Sequence, residues 1–316
     1  MLFSALFILG LVTTQAVVAP SVPTEAAIKV VAGNDVVADL VRAIAGQDVE
    51  LFVLGQGADP HHYEPTPADA KKIESADLVI EFGLGLDRAM GKLHRSTGSK
   101  AKLLVVAEGL AKGSDAAVTD HTDHADHADH DHNHDHGSSA VDPHIWHDPS
   151  QVRILNERIC AALVAVSPTS AESFRSRSLE LDTQLVKLDE WIKAQVLLIP
   201  ESKRLLVTTH DGLQSFGNRY GFRVVGIEMT SDGADVAPSQ LIKMVNALRE
   251  TKSAVVFGDA AHHSRIAATV AREANVRLIE TLRLDSLLKT PAIEQGKAYL
   301  ETMRLNVNTI VKALQD

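Results

Sequence analysis

One cysteine, Cys160, is all that the 316 residues contain. An intrachain disulfide is therefore excluded, and so is a cysteine-based zinc site; any metal must be held by histidine and carboxylate. A basic surplus is missing as well, since 31 Lys and Arg stand against 41 Asp and Glu for a formal net charge of −10. That balance argues against a nucleic-acid partner and points toward cations. No H-E-x-x-H occurs, which removes a common signature of zinc hydrolases. No Lys or Arg precedes Lys29, so the apolar opening MLFSALFILGLVTTQAVVA lacks a basic start. It still reads as a signal-peptide core ending in Val17-Val18-Ala19, with residues 1–27 forming a signal peptide and N-terminal extension. No cysteine follows that core, so the expectation is a freely diffusing periplasmic protein with no lipid anchor.

What is abundant is histidine in one place. Between Asp120 and His136 lie seven His and six Asp among seventeen residues, interrupted only by Thr, Ala and Asn. Such a segment has no apolar face to bury and is expected to be a solvated, flexible loop over 113–140. Its imidazoles and carboxylates suit Zn, with Cu and Ni close behind. Elsewhere the composition is ordinary, 45% hydrophobic with a mean hydropathy of 0.00, and long enough for two lobes with independent cores.

From Ile28 onward short β-rich runs alternate with helical patterns, which predicts α/β lobes with mainly parallel sheets. Strands are expected at 28–32, 49–54, 78–82 and 103–107, with helices at 35–45, 68–75 and 86–94. The first lobe spans 28–168 and includes a helix over 151–166. Residues 169–199 hold a long helical pattern in which Leu181, Leu185, Leu188 and Ile192 recur without an internal Gly or Pro. It reads as one rigid connector. The second lobe, 200–316, repeats the alternation, with strands at 204–208, 223–227, 254–257 and 277–279. Its helices are expected at 214–220, 239–250, 262–273 and 292–314.

Four short groups fall beyond the carboxyl ends of predicted strands, where open α/β sheets place ligands. They are Asp59-Pro60-His61, Asp142-Pro143-His144, Thr208-Thr209-His210-Asp211-Gly212 and Leu284-Asp285-Ser286. In the first two, proline fixes its own backbone and pushes the preceding Asp toward an extended one, so each histidine is presented from a stiff loop. Two groups come from each lobe, and the cleft between lobes is where they would converge. Three neutral imidazoles and one carboxylate would leave a net charge of about +1 on a divalent ion, a set matched to tetrahedral Zn.

These residues resemble the periplasmic metal-binding proteins of ABC transporters of the zinc and manganese uptake type, ZnuA-like and TroA-like. The resemblance runs through V-V-A-G-N-D-V-V-A-D-L-V, D-P-H-H-Y-E-P-T-P, D-P-H-I-W-H-D-P, the long helix, V-T-T-H-D-G with R-Y-G behind it, and L-D-S-L. It implies two βα lobes joined by one rigid helix, with Zn2+ as transported ligand in the interlobe cleft on His61, His144, His210 and Asp285. It also implies delivery to an inner-membrane ABC permease by a monomeric carrier that is not an enzyme. A His/Asp-rich loop before the second motif accompanies zinc members, whereas manganese members tend to have a carboxylate where His210 stands. The chain departs from the pattern at His147, commonly apolar, at Ser215, commonly aromatic, and over 231–238, which lacks an acidic run.

Other polar residues have plainer readings. Adjacent side chains diverge, so His62 faces away from whatever His61 binds. His147, one turn from His144, is a candidate supporting or transient ligand. Asp259 is the rival carboxylate to Asp285, Glu64 and Asp148 are local hydrogen-bonding groups, and His262 and His263 are surface residues. Two alternatives to zinc import remain: a manganese carrier of the same fold, and a periplasmic zinc buffer or chaperone acting through the His-rich tract. A zinc hydrolase is disfavoured, because a closed set of four protein ligands leaves no position for an activated water.

Overall fold

The computed structural model describes residues 27–110, 142–226, 238–261 and 265–315. The signal region, the His/Asp tract, most of the 231–238 stretch, His262 and His263 lie outside these. The first lobe runs β1 (Ile28–Ala32), α1 (Asp35–Ala45), β2 (Val49–Val53), α2 (Pro67–Glu74), β3 (Leu78–Glu81), α3 (Arg88–Thr97) and β4 (Lys102–Val105), followed by a 3-10 turn over Ile145–His147 and α4 (Pro149–Val166). Its sheet is fully parallel in the order β2-β1-β3-β4. Local chemistry sets the helix starts. Asn34 Oδ1 accepts from Val37 N at 3.0 Å, and Thr66 with Asp69 forms a reciprocal capping box ahead of α2. The helix expected from Leu86 begins at Arg88 instead, because Gly83, Leu84 and Gly85 all take positive φ and delay it.

α5 (Ala171–Val196) is the connector, 26 residues or about 39 Å long. Phe174, Leu181, Leu185, Leu188, Ile192 and Val196 bury one face of it against α1 and α4. The second lobe follows with β5 (Leu205–Thr208), α6 (Gln214–Tyr220), β6 (Arg223–Gly226), α7 (Pro238–Thr251), β7 (Val255–Asp259), α8 (Arg265–Ala274), β8 (Arg277–Leu282) and α9 (Ala298–Gln315). Its sheet is again parallel, in the order β6-β5-β7-β8. Buried on both faces, strands such as LVIE and VVFGD are nearly continuous apolar runs.

Two expectations need correction. The cores are not independent: one buried cluster runs from Val30, Leu40 and Ile80 through Leu185 and Ile192 to Phe216, Phe257 and Tyr299. The reason is that α5 and α9 both pack across the lobe boundary. The last helix also starts later than 292, at Ala298. Gly296 takes φ 63 and approaches so close to α1 that an added Cβ would sit 2.2 Å from Ala43 N, which breaks the chain out of the preceding 3-10 turn.

The start of α9 is capped from the other lobe. Asp39 of α1, buried, accepts from Ala298 N at 3.2 Å and Tyr299 N at 2.9 Å. Burial pushes its carboxyl up to about 6, against the pull of these two amides. Asp39→Ala leaves two amides unpaired in the interior and is expected to cost about 1–3 kcal/mol of folding stability, with Asp39→Asn costing less. Thermal unfolding of the metal-free protein measures this.

Candidate metal centre

Both D-P-H loops close in the same way. Asp59 Oδ1 accepts from His61 N at 2.8 Å, and Asp142 Oδ1 accepts from His144 N at 2.9 Å. These are Asx turns, in which the Asp side chain bonds the backbone two residues on and turns the histidine outward. Asp142 Oδ1 also lies 2.7 Å from His144 Nδ1. A proton held there leaves the His144 Nε2 lone pair facing the cleft, the arrangement of carboxylate-oriented metal ligands. His210 follows β5, its turn held by Thr209 N to Phe257 O at 2.9 Å and Gly212 N to His210 O at 3.0 Å. Gly212 packs closely on the site, since a Cβ there would lie 3.1 Å from the His210 ring and 3.4 Å from that of His144. Asp285 sits just past β8, where Asn306 exchanges bonds with the backbone of Arg283 at 2.9 and 2.8 Å.

The four side chains converge, each offering an atom within 4.8 Å of all the others. His144 Nε2 lies 3.0 Å from each of His61 Nε2, His210 Nε2 and Asp285 Oδ1. Asp285 Oδ2 lies 3.2 Å from His210 Nε2, and Oδ1 lies 3.7 Å from His61 Nε2. A tetrahedral ion with bonds of about 2.0–2.1 Å needs its ligand atoms about 3.3 Å apart, so this spacing suits one. Asp285 Oδ1 is buried without an aligned hydrogen-bond donor, an orphaned anionic oxygen that a cation would satisfy.

The electrostatics run the same way. Burial alone would raise Asp285, but the imidazoles of His144, His61 and His210 outweigh it and hold the carboxyl well below its usual range. Burial alone would lower His144, but Asp142 and Asp285 prevail and push it up to about 9. Burial also pushes His210 down, helped by the neighbouring His144 and His61 and opposed by Asp285. Among the described residues no second cluster of this kind is found.

The remaining candidates go elsewhere. His62 turns to solvent and pairs its Nδ1 with Asp59 Oδ2 at 2.7 Å, and Glu64 is exposed. Asp148 caps α4 by accepting from Ser150 N at 2.8 Å. Asp259 is buried and accepts from Ala261 N and Leu284 N. His147 is buried with Nε2 3.1 Å from Leu284 O, and burial, then His144, push it down to about 4, so it is neutral. The D-P-H motif itself places Asp142 two residues before His144, the spacing from which its carboxylate reaches that residue's amide and Nδ1. The Leu284 carbonyl left no trace in the sequence, since any residue supplies one.

Comparison with known proteins gives the family of the chain. Residues 30–313 match the family described as ZnuA, "Zinc-uptake complex component A periplasmic". The manganese-binding lipoprotein MntA of Bacillus subtilis is 29% identical over 294 residues, 91% of this chain and 90% of the relative. The metal ABC transporter substrate-binding lipoprotein FimA of Streptococcus parasanguinis is 28% identical over 91% of this chain and 89% of its own. Among solved structures, the periplasmic zinc binding protein TroA from Treponema pallidum superposes with a TM-score of 0.74 at 25% identity, covering 90% of this chain and 98% of that one. A manganese-bound periplasmic metal binding protein from candidatus liberibacter asiaticus gives 0.72, also at 25% identity and with the same coverage. The relatives named lipoproteins overturn the expectation of a form with no lipid anchor. Tethering a carrier beside a membrane partner raises their effective concentration, a physical reason for such an anchor.

Proposed function

Since this chain belongs to the ZnuA family and is the metal-binding component of an ABC importer, not an enzyme, we propose that its cargo is Zn2+, held by His61, His144, His210 and Asp285 and handed to the permease. The observation that carries the reading is the donor set: three imidazole nitrogens and one carboxylate at tetrahedral spacing around a buried, orphaned oxygen. The His/Asp tract of 120–136, outside the described residues, adds weak ligands of the same chemistry and would serve to collect zinc for the cleft. A monomer with one tight ion, plus weaker ones on the tract, distinguishes a carrier from a buffer with several equal sites.

A second reading, manganese as cargo, is favoured by one observation, the naming of MntA and other relatives for that ion. Manganese tolerates an oxygen-rich shell better, whereas His210 supplies a third nitrogen. Zinc binds more tightly than manganese at either kind of site, so the ratio of affinities is the informative quantity. Competition titration of the two ions is expected to show a strong zinc preference that His210→Glu narrows by about tenfold, or roughly 1.4 kcal/mol. An unmoved or widened ratio would remove His210 from the ion's ligands and take the zinc reading with it.

A further inference from the structure

The backbone just before Asp285 is held from both lobes. Leu284 N–H donates to the buried carboxylate of Asp259 at the end of β7, within the second lobe. The Leu284 carbonyl accepts from Trp146 Nε1 at 3.0 Å and from His147 Nε2 at 3.1 Å, both from the first. A carbonyl oxygen has two lone pairs, and both are engaged. Because the peptide is planar, fixing that oxygen also fixes Asp285 N and the position of the Asp285 Cα from which its side chain leaves the chain.

The two donors belong to the segment that carries His144, and the second lobe holds that segment at further points. Tyr299 Oη donates to Trp146 O at 2.7 Å, Ser215 Oγ lies 3.4 Å from Asp142 Oδ2, and Arg219 Nε lies 3.6 Å from Asp148. The His61 loop is tied instead to the first lobe, where Gly57 N donates to Asp35 at 3.1 Å. His61 is also the more open of the two first-lobe imidazoles, its side chain 25% exposed against 3% for His144.

We propose that His147 is a positioning residue for metal retention: with Trp146 it fastens the His144 segment to the Asp285 loop. His144, His210 and Asp285 then move as one unit, and an ion leaves when His61 separates from it. His147 does not itself coordinate, since its Nε2 is spent on Leu284 O and its ring is enclosed. Losing that bond leaves a buried carbonyl with one partner fewer and frees the Asp285 backbone to move. The proposal rests on the cleft being the metal site.

The test is the rate of zinc release from the loaded protein into excess chelator, followed by stopped flow. His147→Leu keeps the bulk and removes the donor, and is expected to speed release by about tenfold or more. His147→Gln restores an N–H donor and is expected to stay within about threefold of the parent, a rescue that bulk alone would not give. Release from the Leu variant at the parent rate overturns the proposal, as does a Gln variant no better than Leu. Should the Leu variant fail to fold, nitrogen-detected NMR of the zinc-loaded parent decides. A protonated, slowly exchanging Nε2 on His147 is expected, and an unprotonated or zinc-shifted Nε2 overturns the proposal. A parent protein with no tight zinc in the cleft would overturn the functional reading and the proposal together, and it shows before any substitution at His147.

Discussion

His144→Ala is expected to weaken zinc binding by about a hundredfold or more while the metal-free protein keeps its secondary structure. The expectation comes from the central place of that imidazole. Its Nε2 lies 3.0 Å from three of the other donor atoms, and its other nitrogen is oriented by Asp142 at 2.7 Å. Removing it takes away a ligand and leaves Asp285 buried with less to balance its charge. His62→Ala is the control: adjacent in sequence to His61 but turned to solvent, it is expected to change nothing. Titration against a chromophoric chelator, with circular dichroism of the metal-free forms, checks both. Undiminished affinity in the His144 variant would sink the four-ligand site.

Acid is expected to release the ion, with His144 contributing a competing proton. In the metal-free protein Asp142 and Asp285 hold the His144 pKa up at about 9, so at neutral pH His144 carries a proton where zinc must bind. Binding displaces that proton, and the sign follows: affinity rises with pH up to about 9 and falls as pH drops below it. Asp285 stays ionised throughout, being held well below its usual range, and His210 is pushed down by burial and its imidazole neighbours. Neither should add a proton near neutrality. Affinity is therefore expected to fall about tenfold per pH unit, or about a hundredfold from pH 8.5 to 6.5. Calorimetry in buffers of different ionisation enthalpy counts the proton directly, and a count of zero in that window would show that the metal displaces no proton from His144.

Much of this architecture follows from neighbours in the chain. The alternation of apolar runs with helical patterns places β1 and α1 over Ile28–Ala32 and Asp35–Ala45, as periodicity predicts, because each element's pattern reflects the face it buries. Boundaries slip where a single backbone conformation outweighs the pattern, as at Gly83–Gly85 and Gly296. The ligand candidates were legible for the same local reason. An Asp two residues before a His can bond that residue's amide whatever the rest of the fold does, and His61 and His144 are both presented in this way.

What the sequence determined by itself, then, is the pair of βα lobes, the connecting helix and which side chains could meet at the strand ends. Tertiary structure alone decided how those side chains are held. The contacts of Trp146 and His147 with Leu284 join residues 138 and 137 positions apart, and Asp39 caps a helix 259 positions away. The same assembly merges the cores across the lobe boundary and turns His144, first-lobe by sequence, toward the second. Local hydrogen bonds and burial periodicity are written in consecutive residues, so composition and spacing reveal them. A bond to a distant carbonyl or helix end has no residue type of its own to announce it, and exists only once α5 and α9 have brought the two lobes together.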